Sequence, residues 1–158
     1  MVVQRILFVC TGNICRSPTA EGVTRHWLRM VGLDGQVTVD SAGTQGYHAG
    51  EAPDPRSQRA AAGRGYDLSR LRGRKLKSDD YAHFDLLLAM DRGHYEIMRR
   101  KCPPEHQHKI RLFLSFAPEL GHDEVPDPYY GGASDFDDVL RLCEAGAQGL
   151  IDMLRDTR

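Results

Sequence analysis

The chain has 158 residues, with 21 Lys plus Arg against 22 Asp plus Glu and a formal net charge of −1. That length suits one domain with a sizeable core, read here as residues 1–158. The balanced charge lacks the basic footprint of a nucleic-acid binder, and no apolar run is long enough to span a membrane.

In chain order, Arg5–Cys10 predicts a short buried strand. Ser17–Met30 follows as a helix, with Ser17 suited to the N-cap, Pro18 to the first helical position and Gly32 to the stop. Residues 37–40 alternate weakly, as a second strand. Ser41–Asp54 is rich in Gly and Pro and predicts a loop, and Pro55–Arg64 a helix broken by Gly63 and Gly65. The continuous apolar run Phe84–Met90 predicts a strand covered on both faces. Asp91 caps a helix running to about Lys101, Ile110–Leu114 is a fourth strand, and Ser134 caps a last helix over residues 135–155. Alternating strands and helices predict an α/β fold, a doubly wound open sheet of four parallel strands with helices on both faces. Ligands of such sheets sit beyond the carboxyl ends of the strands, where Cys10 falls.

The N-terminus MVVQRILFVC has a short apolar run and no small-residue cleavage site, so a cytoplasmic location is expected. Four cysteines, at 10, 15, 102 and 143, are too few for a disulfide scaffold, and their spacing is not that of a zinc site. Cys102, before two prolines, and Cys143, within an apolar helix face, read as structural. Charge is uneven: residues 56–77 hold eight basic residues and one acid, and residues 119–138 hold seven acids and no Lys or Arg. Two solvated surfaces explain this, and the basic stretch could also flank an anion site.

The stretch CTGNICRS, Cys10 to Ser17, carries the chemistry. A loop between a strand and a helix N-terminus offers unpaired backbone N–H groups, and the helix dipole adds positive potential, which together suit phosphate. Gly12 opens backbone conformations closed to other residues, and Asn13 tolerates the left-handed region. Thr11, Gly12, Asn13, Ile14 and Cys15 can therefore curl into a nest of inward N–H groups. Arg16 adds a planar fork for two phosphate oxygens. The stretch is not a nucleotide P-loop, which would end in Gly-Lys-Ser/Thr. At the floor of this cradle Cys10 is favoured as thiolate, since helix N-termini and cations stabilise that form. The Ser17 hydroxyl can donate to the sulfur and help it leave.

These residues resemble a known family. VCTGNICRSP, residues 9–18, is similar to the signature of the low-molecular-weight protein tyrosine phosphatases, C-x5-R-[ST] with a second cysteine inside. DSAGT at 40–44, AMD at 89–91 and VPDPYYGGASDF at 125–136 resemble the family's later strand ends and its D-P-Y-Y acid loop, so the resemblance covers nearly the whole chain. It implies a two-step hydrolysis of phosphotyrosine in which Cys10 attacks phosphorus, Arg16 clamps phosphate and Asp127 serves as general acid and then base. No metal or cofactor is implied. Implied partners are phosphotyrosine-containing proteins, a tyrosine kinase among them, and inorganic phosphate as product inhibitor. Asn13, Ser17 and Ser41 match positions that support the loop. Cys15 matches a position that forms a reversible disulfide with Cys10 under peroxide, and packing behind the loop is the other reading.

Two departures stand out. The segment Leu71-Arg72-Gly73-Arg74 has Leu71 where relatives often carry histidine, so one member of the loop network is missing or replaced. Tyr47-His48 stands where Trp-His is frequent. Tyr47 and Tyr129 would wall a slot for a phenyl ring, and Tyr130 would either join them or lie on the surface. The histidines at 26, 83, 94, 106, 108 and 122 read as surface or capping residues. Within the same fold, a phosphoarginine phosphatase is the near rival, though Ile14 occupies a position that is typically threonine in that branch. An arsenate reductase would need further cysteines near residues 80–90, where there are none. A phosphopeptide-binding module would be expected to have lost Cys10 or Asp127. A dithiol oxidoreductase would carry C-x-x-C rather than C-x4-C.

Overall fold

Strand β1, Arg5–Cys10, is buried at every residue after Arg5. This follows from its place inside a four-stranded parallel sheet of order β2-β1-β3-β4, with β2 at Thr38–Gly43, β3 at Leu86–Ala89 and β4 at Ile110–Leu112. The computed structural model describes residues 2–158. Alternation along the strands divides the core in two. Ile6, Phe8, Leu86 and Leu88 face helices α1 (Arg16–Met30), α2 (Pro55–Ala62) and α5 (Ala133–Asp156). Leu7, Val9, Leu87 and Ala89 face α3 (Asp79–His83) and α4 (Arg92–Lys101). Helices therefore cover both faces, as expected. No helix among the described residues is long and apolar enough to cross a membrane.

The chain leaves β1 towards β2 on one side and returns to β3 on the other. The carboxyl ends of β1 and β3 thus flank the crevice where strand order reverses, the usual ligand position in such sheets. Differences from the expected elements are local. Strand β2 continues to Gly43, because residues 41–43 pair with the end of β1. Strand β4 stops at Leu112, and Phe113–Phe116 form a 3₁₀ turn that sets the Phe113 ring edge-on to Phe8, centroids 5.2 Å apart. Helix α3 was not expected, since five residues are too few to show a helical period. The cap of α5 is Gly132 rather than Ser134, and the Asp135 carboxylate accepts the Gly132 N–H at 2.8 Å. The cap of α1 is Cys15 rather than Ser17, and Pro18 falls two residues into the helix, still within its first turn. Cys102 ends α4 and Cys143 is fully buried in α5, both as expected.

Candidate active site

Cys10 closes β1 and is 3% exposed. The loop after it is pinned from outside. Thr44 and Gln45 donate their backbone N–H groups to the Cys10 and Thr11 carbonyls at 2.8 and 3.0 Å, and Asp54 donates to Ile14 at 2.8 Å. Gly43 permits this approach, since a Cβ there would lie 2.5 Å from the Thr11 oxygen. Asn13 alone in the loop adopts the left-handed backbone, φ 59°, and Gly12 does not. What Gly12 supplies is space, because a Cβ would meet the His48 ring at 3.0 Å.

Asn13 organises the cradle through its side chain. Its Oδ1 accepts the Arg74 backbone N–H at 3.0 Å, which fixes the amide orientation and leaves Nδ2 to donate to both Ser17 Oγ (2.8 Å) and Ser41 Oγ (2.9 Å). Each hydroxyl then has its own proton to give. Ser17 directs its proton at Cys10 Sγ, 2.9 Å away, and Ser41 directs its proton at Glu21 Oε1, 2.6 Å away. With its hydroxyl turned to the sulfur, Ser17 does not cap the helix. Asn13, Ser17 and Ser41, the residues expected to support the loop, thus share one hydrogen-bond network. Leu71 packs against the core, and the neighbouring backbone of Arg74 provides that segment's link to Asn13. Glu21 was not foreseen. Burial pushes its carboxyl up, against the Ser41 hydroxyl and the Arg25 guanidinium at 2.6 Å. Its spacing four residues before Arg25 signalled that ion pair only, and not the contact with Ser41.

Arg16 is 4% exposed and held from one side. Its Nη1 donates to Asp91 Oδ2 at 2.8 Å and to the Val125 carbonyl at 3.0 Å. The Nε–Nη2 edge makes no hydrogen bond among the described residues, and such an edge can offer two parallel donors to an oxyanion. Asp91 has two tasks: Oδ1 caps α4 by accepting the His94 N–H at 2.9 Å, and Oδ2 orients Arg16. Burial pushes its carboxyl up, but the His94 N–H and the Arg16 guanidinium outweigh this and hold it below the usual range. The sequence reading gave Asp91 only the cap.

Above the loop lies a cavity of about 360 Å³ lined by residues 10–12 and 14–16, Tyr47, His48, Asp127, Tyr129 and Tyr130. Asp127 reaches in from the acid loop with its side chain 52% exposed. Its Oδ2 is 3.9 Å from Arg16 Nη2, and its Oδ1 accepts the Tyr129 N–H at 3.1 Å. All three tyrosines border the mouth. Tyr129 is the most covered, flanked by Tyr130 edge-on at 5.0 Å and by the Arg56 guanidinium at 5.4 Å, while Tyr47 and Tyr130 stay largely exposed. None of the eight basic residues of 56–77 lines the cavity, and Arg56, Arg64 and Arg74 are paired with carboxylates. That stretch is therefore a solvated surface rather than the wall of the site.

Cys15 is buried with Ile14 and Phe136. Burial and the Asp54 carboxylate push its thiol up to about 12, opposed by the Ser57 hydroxyl. All four cysteines are free. His94 is neither a surface nor a simple capping residue. It is 4% exposed, its Nε2 is 2.8 Å from Thr11 Oγ1, and burial followed by the Arg16 charge lowers it to about 4.

Comparison with known proteins decides the family. Residues 5–158 match the model of the low molecular weight phosphotyrosine protein phosphatases. The chain belongs to that family. A low molecular weight protein-tyrosine-phosphatase of Streptomyces coelicolor is 43% identical over 158 residues, covering 98% of this chain and 96% of the relative. The low molecular weight protein-tyrosine phosphatase A of Mycobacterium tuberculosis is 39% identical, covering 93% and 89%. Among solved structures, a protein tyrosine phosphatase of Entamoeba histolytica with Hepes in its active site superposes with a TM-score of 0.94 at 37% identity, covering 98% of each chain. By family this chain is a phosphatase.

Proposed function

We propose that the phosphatase hydrolyses phosphotyrosine in proteins by two in-line displacements on phosphorus. The observation that carries this reading is one cavity holding a sulfur with a hydroxyl aimed at it, an arginine with one donor edge free, and a half-exposed carboxylate. In the first step Cys10 Sγ forms a bond to phosphorus as the bond to the phenolic oxygen breaks, and Asp127 gives that oxygen its proton. In the second, Asp127 takes a proton from water, whose oxygen bonds to phosphorus. The S–P bond then breaks, and Ser17 stabilises the departing thiolate. Arg16 and the loop N–H groups hold the equatorial oxygens throughout, the electrostatic share of the catalysis. Asp127 contributes roughly 10² to 10⁴ in rate. The tyrosines at the mouth favour an aryl ring over a short phosphoserine. Inorganic phosphate, which fits the same cradle, acts as a product inhibitor, and substrates include tyrosine kinases carrying phosphotyrosine.

Cys10→Ser is expected to abolish turnover of para-nitrophenyl phosphate while phosphate still binds. Retained turnover would overturn the mechanism. Comparing phosphotyrosine, phosphoarginine and phosphoserine peptides tests the substrate class. We also propose that Cys15 guards Cys10 against oxidation. Peroxide converts Cys10 to a sulfenic acid, and attack by Cys15 expels water and leaves a disulfide. With the Cys15 thiol pushed up to about 12, this second step is slow and lags the first. Activity that dithiothreitol fails to restore after brief peroxide would remove this role.

A further inference from the structure

His94 is a buried titratable side chain in direct contact with the loop, and the proposed mechanism gives it no task. Its ring bridges two parts of the cradle. Nε2 lies 2.8 Å from Thr11 Oγ1, and Nδ1 lies 3.0 Å from Asp91 Oδ1, the oxygen that also accepts the His94 backbone N–H. The Nδ1 contact does not count as a hydrogen bond, so what remains is the interaction of the ring's dipole with the carboxylate. A lone pair on Nδ1 would face a carboxylate oxygen, acceptor against acceptor, so the ring proton belongs on Nδ1. Nε2 is then an acceptor, and the Thr11 hydroxyl must donate to it. Thr11 directly follows the nucleophile, and Asp91 holds Arg16, the last member of the cradle, at 2.8 Å.

We propose that neutral His94 is a positioning residue that joins the two ends of the phosphate cradle, through Thr11 at one end and through Asp91 and Arg16 at the other. It turns the Thr11 hydroxyl proton away from the phosphate site, so that the loop N–H groups and Arg16 meet the phosphate oxygens. It also sets its own N–H dipole against the carboxylate that aims the arginine. The proposal rests on the phosphatase reading for its effect on turnover, but its effect on phosphate binding stands apart from turnover.

The test uses His94→Leu, His94→Gln, Thr11→Val and the double variant His94→Leu/Thr11→Val. Inorganic phosphate binding is measured by calorimetry, and kcat and KM with para-nitrophenyl phosphate. His94→Leu is expected to weaken phosphate binding and lower kcat by about tenfold each, the size of a coupling within one hydrogen-bond network. His94→Gln, which keeps an acceptor within reach of Thr11, recovers most of both. The double variant is expected to bind phosphate little worse than His94→Leu. Wild-type phosphate affinity in a folded His94→Leu, or losses that multiply fully in the double variant, would overturn the proposal. A role in stability alone would lower the melting temperature and leave affinity and kcat unmoved. If His94→Leu does not fold, Thr11→Val and His94→Gln decide, and unchanged phosphate affinity in Thr11→Val refutes the link. Absence of turnover in the wild type would refute the phosphatase reading and leave the calorimetric result to judge His94.

Discussion

The two walls of the cavity are built to different standards. On the Cys10 side, Asn13, Ser17, Ser41 and Arg16 are each at most 4% exposed; Asn13 joins the two serines, and Arg16 is held by Asp91 and the Val125 carbonyl, all through hydrogen bonds of 3.0 Å or less. On the acid side, Asp127 is half exposed, held by one backbone N–H at 3.1 Å and a 3.9 Å approach to Arg16. In the proposed mechanism the cradle meets a highly charged group whose geometry does not vary, and a preformed set of donors would bind it without reorganisation. In that mechanism the Asp127 carboxylate approaches an oxygen that leaves with the product, and a loosely held carboxylate can follow it. Substitutions in the first wall should therefore harm folding and function together, and substitutions in the second should harm function alone.

Asp127→Ala tests that contrast most sharply. It is expected to lower kcat by roughly 10² to 10⁴ with an unchanged melting temperature, and a large loss of stability would show that the acid loop also supports the fold. Asn13→Ala should lower stability along with activity. It leaves Ser17, Ser41 and the Arg74 N–H short of a partner, at about 1–3 kcal/mol for each group left unsatisfied, and forces alanine to φ 59°. Chemical denaturation should register several kcal/mol of destabilisation. Acid titration is the third test. The His94 ring has its ordinary tendency to protonate in the unfolded chain and is lowered to about 4 in the folded one. The unfolded state therefore binds more protons, and stability falls as pH drops from about 6.5 towards 4. The contribution is about 3 kcal/mol by the lower end of that window; it is absent from His94→Gln, so the stability difference between the wild type and that variant should shift by this amount as pH falls. Smallest of all, Arg56→Ala removes the cation beside the Tyr129 and Phe136 rings and should weaken aryl phosphate binding by about 1 kcal/mol or less. An equal effect on inorganic phosphate would place Arg56 in the cradle instead.

What could be read from the sequence followed its range of interaction. The loop from Cys10 to Ser17 was legible because its chemistry is local: a thiol at a strand end, an Asn suited to positive φ, an arginine and a helix start in eight residues. Ser17 was misread as the cap because Ser-Pro looks the same whether the hydroxyl closes the helix or turns back to a sulfur. Glu21, His94 and the second task of Asp91 escaped for another reason. Their partners, Ser41, Thr11 and Arg16, lie 20, 83 and 75 residues away, and nothing in the spacing of a buried Glu or His names such a partner. Asp127 would have been one acid among seven without the family resemblance.

The bond from Arg16 to the Val125 carbonyl spans 109 residues, and the Val125 N–H donates in turn to the Met90 carbonyl at 2.8 Å. The site's arginine is thus tied at once to the first helix, the end of the third strand and a segment beyond the fourth. Contacts so distant in the chain form late, because closing long loops is entropically unfavourable before they are rewarded. Catalytic competence should consequently be the last property to return in a refolding experiment, after helical signal and after burial of the core, so that activity recovered over time serves as a clock for the final docking event.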